Sequence, residues 1–159
     1  MKLSEKLNNK TIIYPLQATS KQDALHELLD YFQSLDYLTA TTKLFSYLDS
    51  KDKTFNSASG RGVAYHYHTS IEVKETLAVL GISKQGINYN AIDGLMCHFI
   101  LLILEPTNHP NSHRKLINLF QNLINHSDIK SKLLELDSSN EVEKIIENWE
   151  NDDNAFDIL

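Results

Sequence analysis

Residues 60–70, GRGVAYHYHTS, set three ring side chains in a row, His66, Tyr67 and His68, behind a short apolar lead-in. Imidazole changes protonation near neutral pH, so histidine is the side chain most often used for chemistry there. The row fits a working site, a metal clip, or the remains of a site whose key residue has been replaced. In an extended strand side chains alternate between faces. His66 and His68 then share one side and Tyr67 takes the other, unless a local bulge swaps the facing.

The metal reading pairs His66 and His68 with His109 and His113, four apart and thus neighbours if both lie on a helix. Pro110 follows His109 directly, which puts His109 in the loop before the helix, and no Cys or carboxylate completes a ligand set. The expectation is no bound metal, no stoichiometric zinc and no cofactor. His113 falls in the first turn of a predicted helix, where the dipole attracts anions and favours neutral imidazole. His98 enters a buried strand and reads as a satisfied core histidine. His126 reads as a cation at a helix C-terminus, and His26 as a surface residue off its helix's apolar stripe.

The elements that position these residues are legible from periodicity. TIIYPL (11–16), closed by Pro15, reads as a short or edge strand. Helices are predicted over 20–34, opened by Ser20 as N-cap, and over 41–50. Strands are predicted over 63–67, 77–82 and 97–104. The last, inside MCHFILLILE, is apolar on both parities, as in a strand buried on both faces. NYNAIDG reads as a turn centred on Asp93-Gly94. Helices follow over 111–125, from Ser127, and over 139–149, where Ser138 and Glu141 stand at capping-box spacing. Helices on both sides of a strand group predict an α/β fold, a central mixed β-sheet with helices on both faces. Residues 1–150 form one domain in this reading and 151–159 an acidic tail.

The chain has 159 residues, a length that suits one domain, and is 42% apolar and 23% charged. A net charge of −6 argues against nucleic acid, whose phosphates demand a basic surface. Cys97 is the only cysteine, so no internal disulfide forms, and it reads as a small buried hydrophobe. No apolar run is long enough for membrane insertion, and no signal core opens the chain. A cytoplasmic location is expected.

The order of pieces resembles a known family. MKLSEKLNNKTIIYPLQATSKQDALHELLDYF is similar to the opening of the type-2 EIIA domain of the bacterial phosphotransferase system, which includes fructose, mannitol and nitrogen-regulatory branches. GVAYHYHTSIEVKETLAVLGISKQGINYNAIDGLMCHFILLILEP resembles its strand, loop, strand and turn, and PTNHPNSHRKLINLFQNLI its helix with a second histidine. The resemblance covers residues 1–148. It implies a mixed sheet flanked by helices. It also implies a phosphoryl group carried on histidine, taken from the phosphocarrier protein of that system and then passed on or held as a signal.

Such a site needs a neutral imidazole nitrogen as nucleophile and donors ready for the charge of the transition state. Matched without gaps to the family's signature, the acceptor histidine falls on Tyr67, its preceding proline on His66, the small residue after it on His68 and the next basic residue on Thr69. The upstream arginine falls near Lys53, and the second histidine survives as His113. The resemblance thus makes His66, Tyr67, His68 and His113 the candidate catalytic set and Lys53, Ser57 and Thr69 the phosphate-binding one. Tyrosine is a poor acceptor, because a phenol of pKa near 10 is protonated at neutral pH. Tyr67 and His113 are expected to face one shallow depression with Lys53 and Ser57 nearby. The expected function is a regulatory relative, leaning to the nitrogen-regulatory branch. It binds the phosphocarrier protein and unknown target proteins with weak or absent phosphoryl acceptance. The alternatives are an active carrier using His66 or His68, and a histidine-rich metal-binding module.

Overall fold

The computed structural model describes residues 1–157, with side-chain positions through residue 152. In chain order the elements are α1 (Leu3–Lys6), β1 (Ile12–Ile13), α2 (Lys21–Ser34), α3 (Thr42–Thr54), β2 (Ala58–Gly60), β3 (Val63–Thr69), β4 (Leu77–Ile87), β5 (Cys97–Glu105), α4 (Ser112–Ile124), α5 (Ser127–Glu135) and α6 (Ser139–Asp157). The strands form one sheet in the order β1-β4-β5-β3-β2. β1 runs parallel to β4 and β3 parallel to β5, while β4–β5 and β2–β3 are antiparallel, so the sheet is mixed.

β5 lies at the centre because its sequence is apolar on both parities. Phe99, Leu101 and Ile103 enter the core beneath α1, α4, α5 and α6. Ile100, Leu102 and Leu104 enter the one beneath α2 and α3. None of the six has exposed surface, and burying each such side chain contributes roughly 1.5–3 kcal/mol. Replacing Leu101 with Ala is expected to lower the free energy of unfolding by about 3 kcal/mol, read from chemical denaturation. A loss under about 1 kcal/mol would mean that this strand is not the keystone of the core.

Local signals place the flanking helices. Ser20 Oγ accepts from the Asp23 N–H at 3.1 Å and starts α2, whose Ala24, Leu25, Leu28, Leu29 and Phe32 face the sheet. α4 turns His113, Leu116, Phe120, Leu123 and Ile124 inward.

Several boundaries differ from the sequence reading. β2 has no apolar pattern. It is made by the turn Gly60-Arg61-Gly62, whose φ values of 93°, 60° and 82° fold the chain back on β3. Glycine takes such angles freely, whereas Arg61 bears a cost of about 1–2 kcal/mol. The pairing β2 makes with β3 stops at Ala64. β4 continues past Ile82 through an irregular stretch that rejoins β5 at Ile87↔Cys97. α6 runs on to Asp157 rather than closing at 149, since its acidic stretch contains no Gly or Pro to stop it. Of the residues expected to form an acidic tail, 158 and 159 lie outside the described residues. Glu150, just before that tail, is buried and accepts from the backbone N–H groups of Leu3 and Ser4, capping α1. His126 follows the C-cap of α4 and also serves as the N-cap residue of α5, with its ring edge-on to Trp149 at 6.4 Å. No helix among the described residues is long and apolar enough to cross a membrane.

Candidate functional site

Because β2 is short, the outer edge of β3 beyond Tyr65 is uncovered. A cavity of about 270 Å³ opens there, lined by Lys51 from α3, Phe55 and Ser57 from the segment before β2, Tyr65, His66 and Tyr67 from β3 and Ile117 from α4. β3 pairs with β5 in unbroken register from Val63↔Phe99 to Thr69↔Glu105. No bulge swaps the facing. Tyr67 packs on the α4 side with Val63 and Tyr65, and His66 and His68 project to the α2–α3 side.

Tyr67 stacks on His113, ring centroids 3.9 Å apart and planes 7° from parallel. On its own, Tyr67 also carries the Lys51 ammonium 3.7 Å from its ring centroid. His113 Nδ1 lies 2.9 Å from both carboxylate oxygens of Glu105, and the His113 backbone N–H donates to Glu105 Oε2 at 2.8 Å. Thr69 and Ser112 hydroxyls donate to the same carboxylate, each at 3.2 Å. These contacts hold the ring with its Nδ1 edge on Glu105 and its Nε2 edge turned away from that carboxylate.

On the other face His66 is 3% exposed. Its Nε2 meets Tyr89 Oη at 3.1 Å and its Nδ1 meets Ser57 Oγ at 3.2 Å. Burial pushes its pKa down to about 4, against Asp52 and with the help of Lys21 and Lys51, so the ring is neutral. Tyr89 is fully buried, and a phenol proton left unpaired there would cost about 1–3 kcal/mol. The proton therefore goes to His66 Nε2. Nδ1–H then donates to Ser57 Oγ, and the Ser57 hydroxyl is left to donate into the cavity. The Ser57 backbone N–H donates to Asp52 Oδ1 at 2.8 Å. Burial pushes the Asp52 carboxyl up, but its pairing with Lys21 and the Ser57 contacts hold it below the ordinary value. Tyr89, His66 and Asp52 thus aim Ser57 as a donor.

The remaining sequence candidates lie elsewhere. Lys53, expected beside Tyr67, is solvent-exposed and pairs with Asp49 at 3.6 Å. Two residues along a helix turn a side chain by about 200°, and Lys51 takes the inward place. Thr69 spends its hydroxyl on Glu105 and does not line the cavity. His68 sits edge-on to Tyr47 at 5.0 Å in a separate groove, and burial, then Lys51, lower its pKa. His109 is exposed in the loop before α4. The two histidine pairs do not come together, and among the described residues no three potential ligands cluster for a metal.

Glu105, Lys51 and Tyr89 were missed by sequence reasoning. Glu105 did carry a signal: a carboxylate ends a doubly buried strand, and such a charge is almost never buried unpaired. Lys51, Ser57 and the Tyr67 rim together offer hydrogen-bond donors and one cation, an arrangement that can hold an oxyanion.

A five-stranded mixed sheet with helices on both faces, and a cavity at its β3 edge, define an α/β sandwich domain. The family described as Phosphoenolpyruvate-dependent sugar phosphotransferase system, EIIA 2, matches residues 5–149, and the chain belongs to that family. It is 22% identical over 146 residues to the PTS system fructose-specific EIIABC component of Bacillus subtilis, covering 92% of this chain and 23% of that protein's length. The fold is similar to the nitrogen regulatory protein IIA-Ntr of Neisseria meningitidis, with a TM-score of 0.79 at 21% identity over 91% of this chain and 98% of that one. It is also similar to the mannitol IIA enzyme of Escherichia coli in its complex with phosphorylated IIB, with a TM-score of 0.71 at 16% identity over 90% and 98% of the two chains.

Proposed function

We propose that this chain is a regulatory EIIA-type protein of the nitrogen-regulatory branch, which binds protein partners in the cytoplasm and accepts a phosphoryl group weakly or not at all. One observation carries the reading: β3 keeps its register through residue 67, so the side chain presented to the site is a tyrosine, stacked on His113 and capped by Lys51. The best-placed histidine on the strand, His66, has both ring nitrogens engaged inside the core. That weighs against the alternative of a carrier using His66 or His68, and the dispersed histidines weigh against a metal-binding module. The nitrogen-regulatory branch is favoured by the likeness to IIA-Ntr. Partner binding is favoured by Phe55, 72% exposed at the mouth of the cavity, and by the neighbouring Tyr47, half-exposed on α3. Exposed aromatic rims of this kind suit protein contacts. The phosphocarrier protein of the system and regulatory target proteins are the partners in this reading.

Incubation with phosphoenolpyruvate, the general carrier proteins and labelled phosphate is expected to leave the protein unlabelled, while titration with the phosphocarrier protein still shows binding. Rapid acid-labile, base-stable labelling that is lost in His68→Ala or His66→Ala but persists in Tyr67→Phe would replace this reading with the carrier one.

A further inference from the structure

Two residues before Tyr67, on the same face of β3, Tyr65 carries a buried hydroxyl that makes no hydrogen bond of ordinary length, with the Gln121 side chain the polar group that acts on it. Tyr65 is 9% exposed, and its ring packs edge-on against Phe120 at 6.3 Å. A buried hydroxyl without a partner costs about 1–3 kcal/mol. The Tyr65 side chain borders a second hollow, of about 220 Å³, walled by Ser59, Arg61, Gln121 and Asn125, which holds the liquid volume of roughly seven waters. The Gln121 side chain lies near enough to act on the phenol's acidity.

The lining is rich in donors and carries a single positive charge with no carboxylate among the described residues. That charge is Arg61, one of two arginines in a chain of net charge −6. Its Nη1 donates to Asn125 Oδ1 at 2.6 Å, which orients the guanidinium and leaves its other N–H groups for a ligand. The backbone beneath it is fixed from outside the hollow: Asp93 Oδ2 accepts from the Arg61 N–H at 2.8 Å, and the Lys130 ammonium donates to the Arg61 carbonyl. A guanidinium held by Asn125, with a phenol and a side-chain amide on the same hollow, matches the planar acceptor pattern of a carboxylate or phosphate.

We propose that this hollow is a binding site for a small oxyanion, a carboxylate or a phosphate, held by the Arg61 guanidinium and the Tyr65 hydroxyl. Tyr65 also lines the cavity that contains Ser57 and Tyr67. One ring therefore forms a wall of both hollows, and a ligand that draws on its hydroxyl acts on the neighbouring site.

The test is a nuclear magnetic resonance titration of the full chain with succinate in one arm and inorganic phosphate in the other. Saturable shifts are expected at the side-chain amides of Gln121 and Asn125 and the backbone amides of Arg61 and Gly62, and the tighter arm names the ligand class. Arg61→Gln is expected to weaken binding about tenfold or more, the loss of one charge-assisted hydrogen bond. Tyr65→Phe is expected to weaken it about fivefold, and it keeps the fold because it deletes only a hydroxyl that makes no hydrogen bond of ordinary length. Lys51→Gln leaves this response unchanged, whereas it weakens any phosphate response at Ser57 and Tyr67, so the two hollows are told apart. Absence of saturation in both arms, or saturation unaffected by Arg61→Gln, would overturn the proposal without touching the labelling experiment.

Discussion

Tyr67→His is expected to turn an unlabelled protein into one that takes phosphoryl groups from the phosphocarrier protein, with a rate gain of about a hundredfold or more. The new imidazole would hang from the same register position of β3 and face the same cavity. It would lie parallel to His113, whose Nδ1 edge is held on Glu105, with the Lys51 ammonium on its other side. A neutral imidazole attacks without first losing a proton, whereas a phenol must shed one. The donors that the transition state needs, Lys51 and the Ser57 hydroxyl, are already aimed. Labelling with and without the phosphocarrier protein measures the gain. A folded Tyr67→His protein that remains unlabelled would mean that decay reached the donors as well, and that acceptor identity alone does not explain the inactivity proposed here.

Acidification is expected to unfold the protein earlier than its carboxylates alone would require, because of His66. Its folded-state pKa is depressed to about 4 from 6.5, with burial the main cause. A base whose folded pKa is lowered binds fewer protons folded than unfolded. The stability it contributes is therefore complete above the unfolded value and is lost as pH falls from about 6.5 toward 4. Two and a half units correspond to about 3 kcal/mol. The opposing groups around the ring are Asp52, which favours its protonation, and Lys21 and Lys51, which oppose it. The depressed Asp52 carboxyl keeps its own contribution above the ordinary value of 3.8 and loses it as pH falls from there through its lowered value. His68 is shifted the same way as His66. Denaturant midpoints measured between pH 7 and pH 4 should fall steeply for the wild type and much less for His66→Gln. Equal slopes for the two proteins would place the acid sensitivity elsewhere.

Patterns with a simple physical cause could be read from the chain. The double parity of residues 97–104 could come only from a strand covered on both faces. The alternation of β3 set Tyr67 apart from His66 and His68 without any structure. Ser20 and the apolar spacing of residues 24–32 fixed α2. Where sequence reading went astray, the cause was a choice that tertiary contacts make. Lys51 and Lys53 are equivalent in composition, and only the packing angle of α3 against β3 decides which one reaches Tyr67. β2 exists because a three-residue left-handed turn delivers it to β3, not because Ala58–Gly60 favours extension. Glu105 lay just past the strand read over 97–104, and its role needed α4 to bring His113 and Ser112 over it. Glu150, at the border of the expected acidic tail, gave no sign of its partner because the group it serves, the start of α1, lies far away in the sequence.

That last pairing has a consequence for how the polypeptide acquires its shape. The carboxylate that closes the N-terminus of α1 belongs to a residue 147 positions later. A four-residue helix cannot persist by itself. α1 therefore stays unformed until the segment that carries Glu150 can reach it. Its completion is then a late event governed by long-range closure. In the folded domain the same clasp joins α1 and α6 into one cooperative unit. The Leu3 and Ser4 amides should exchange with solvent only when α6 itself lifts away.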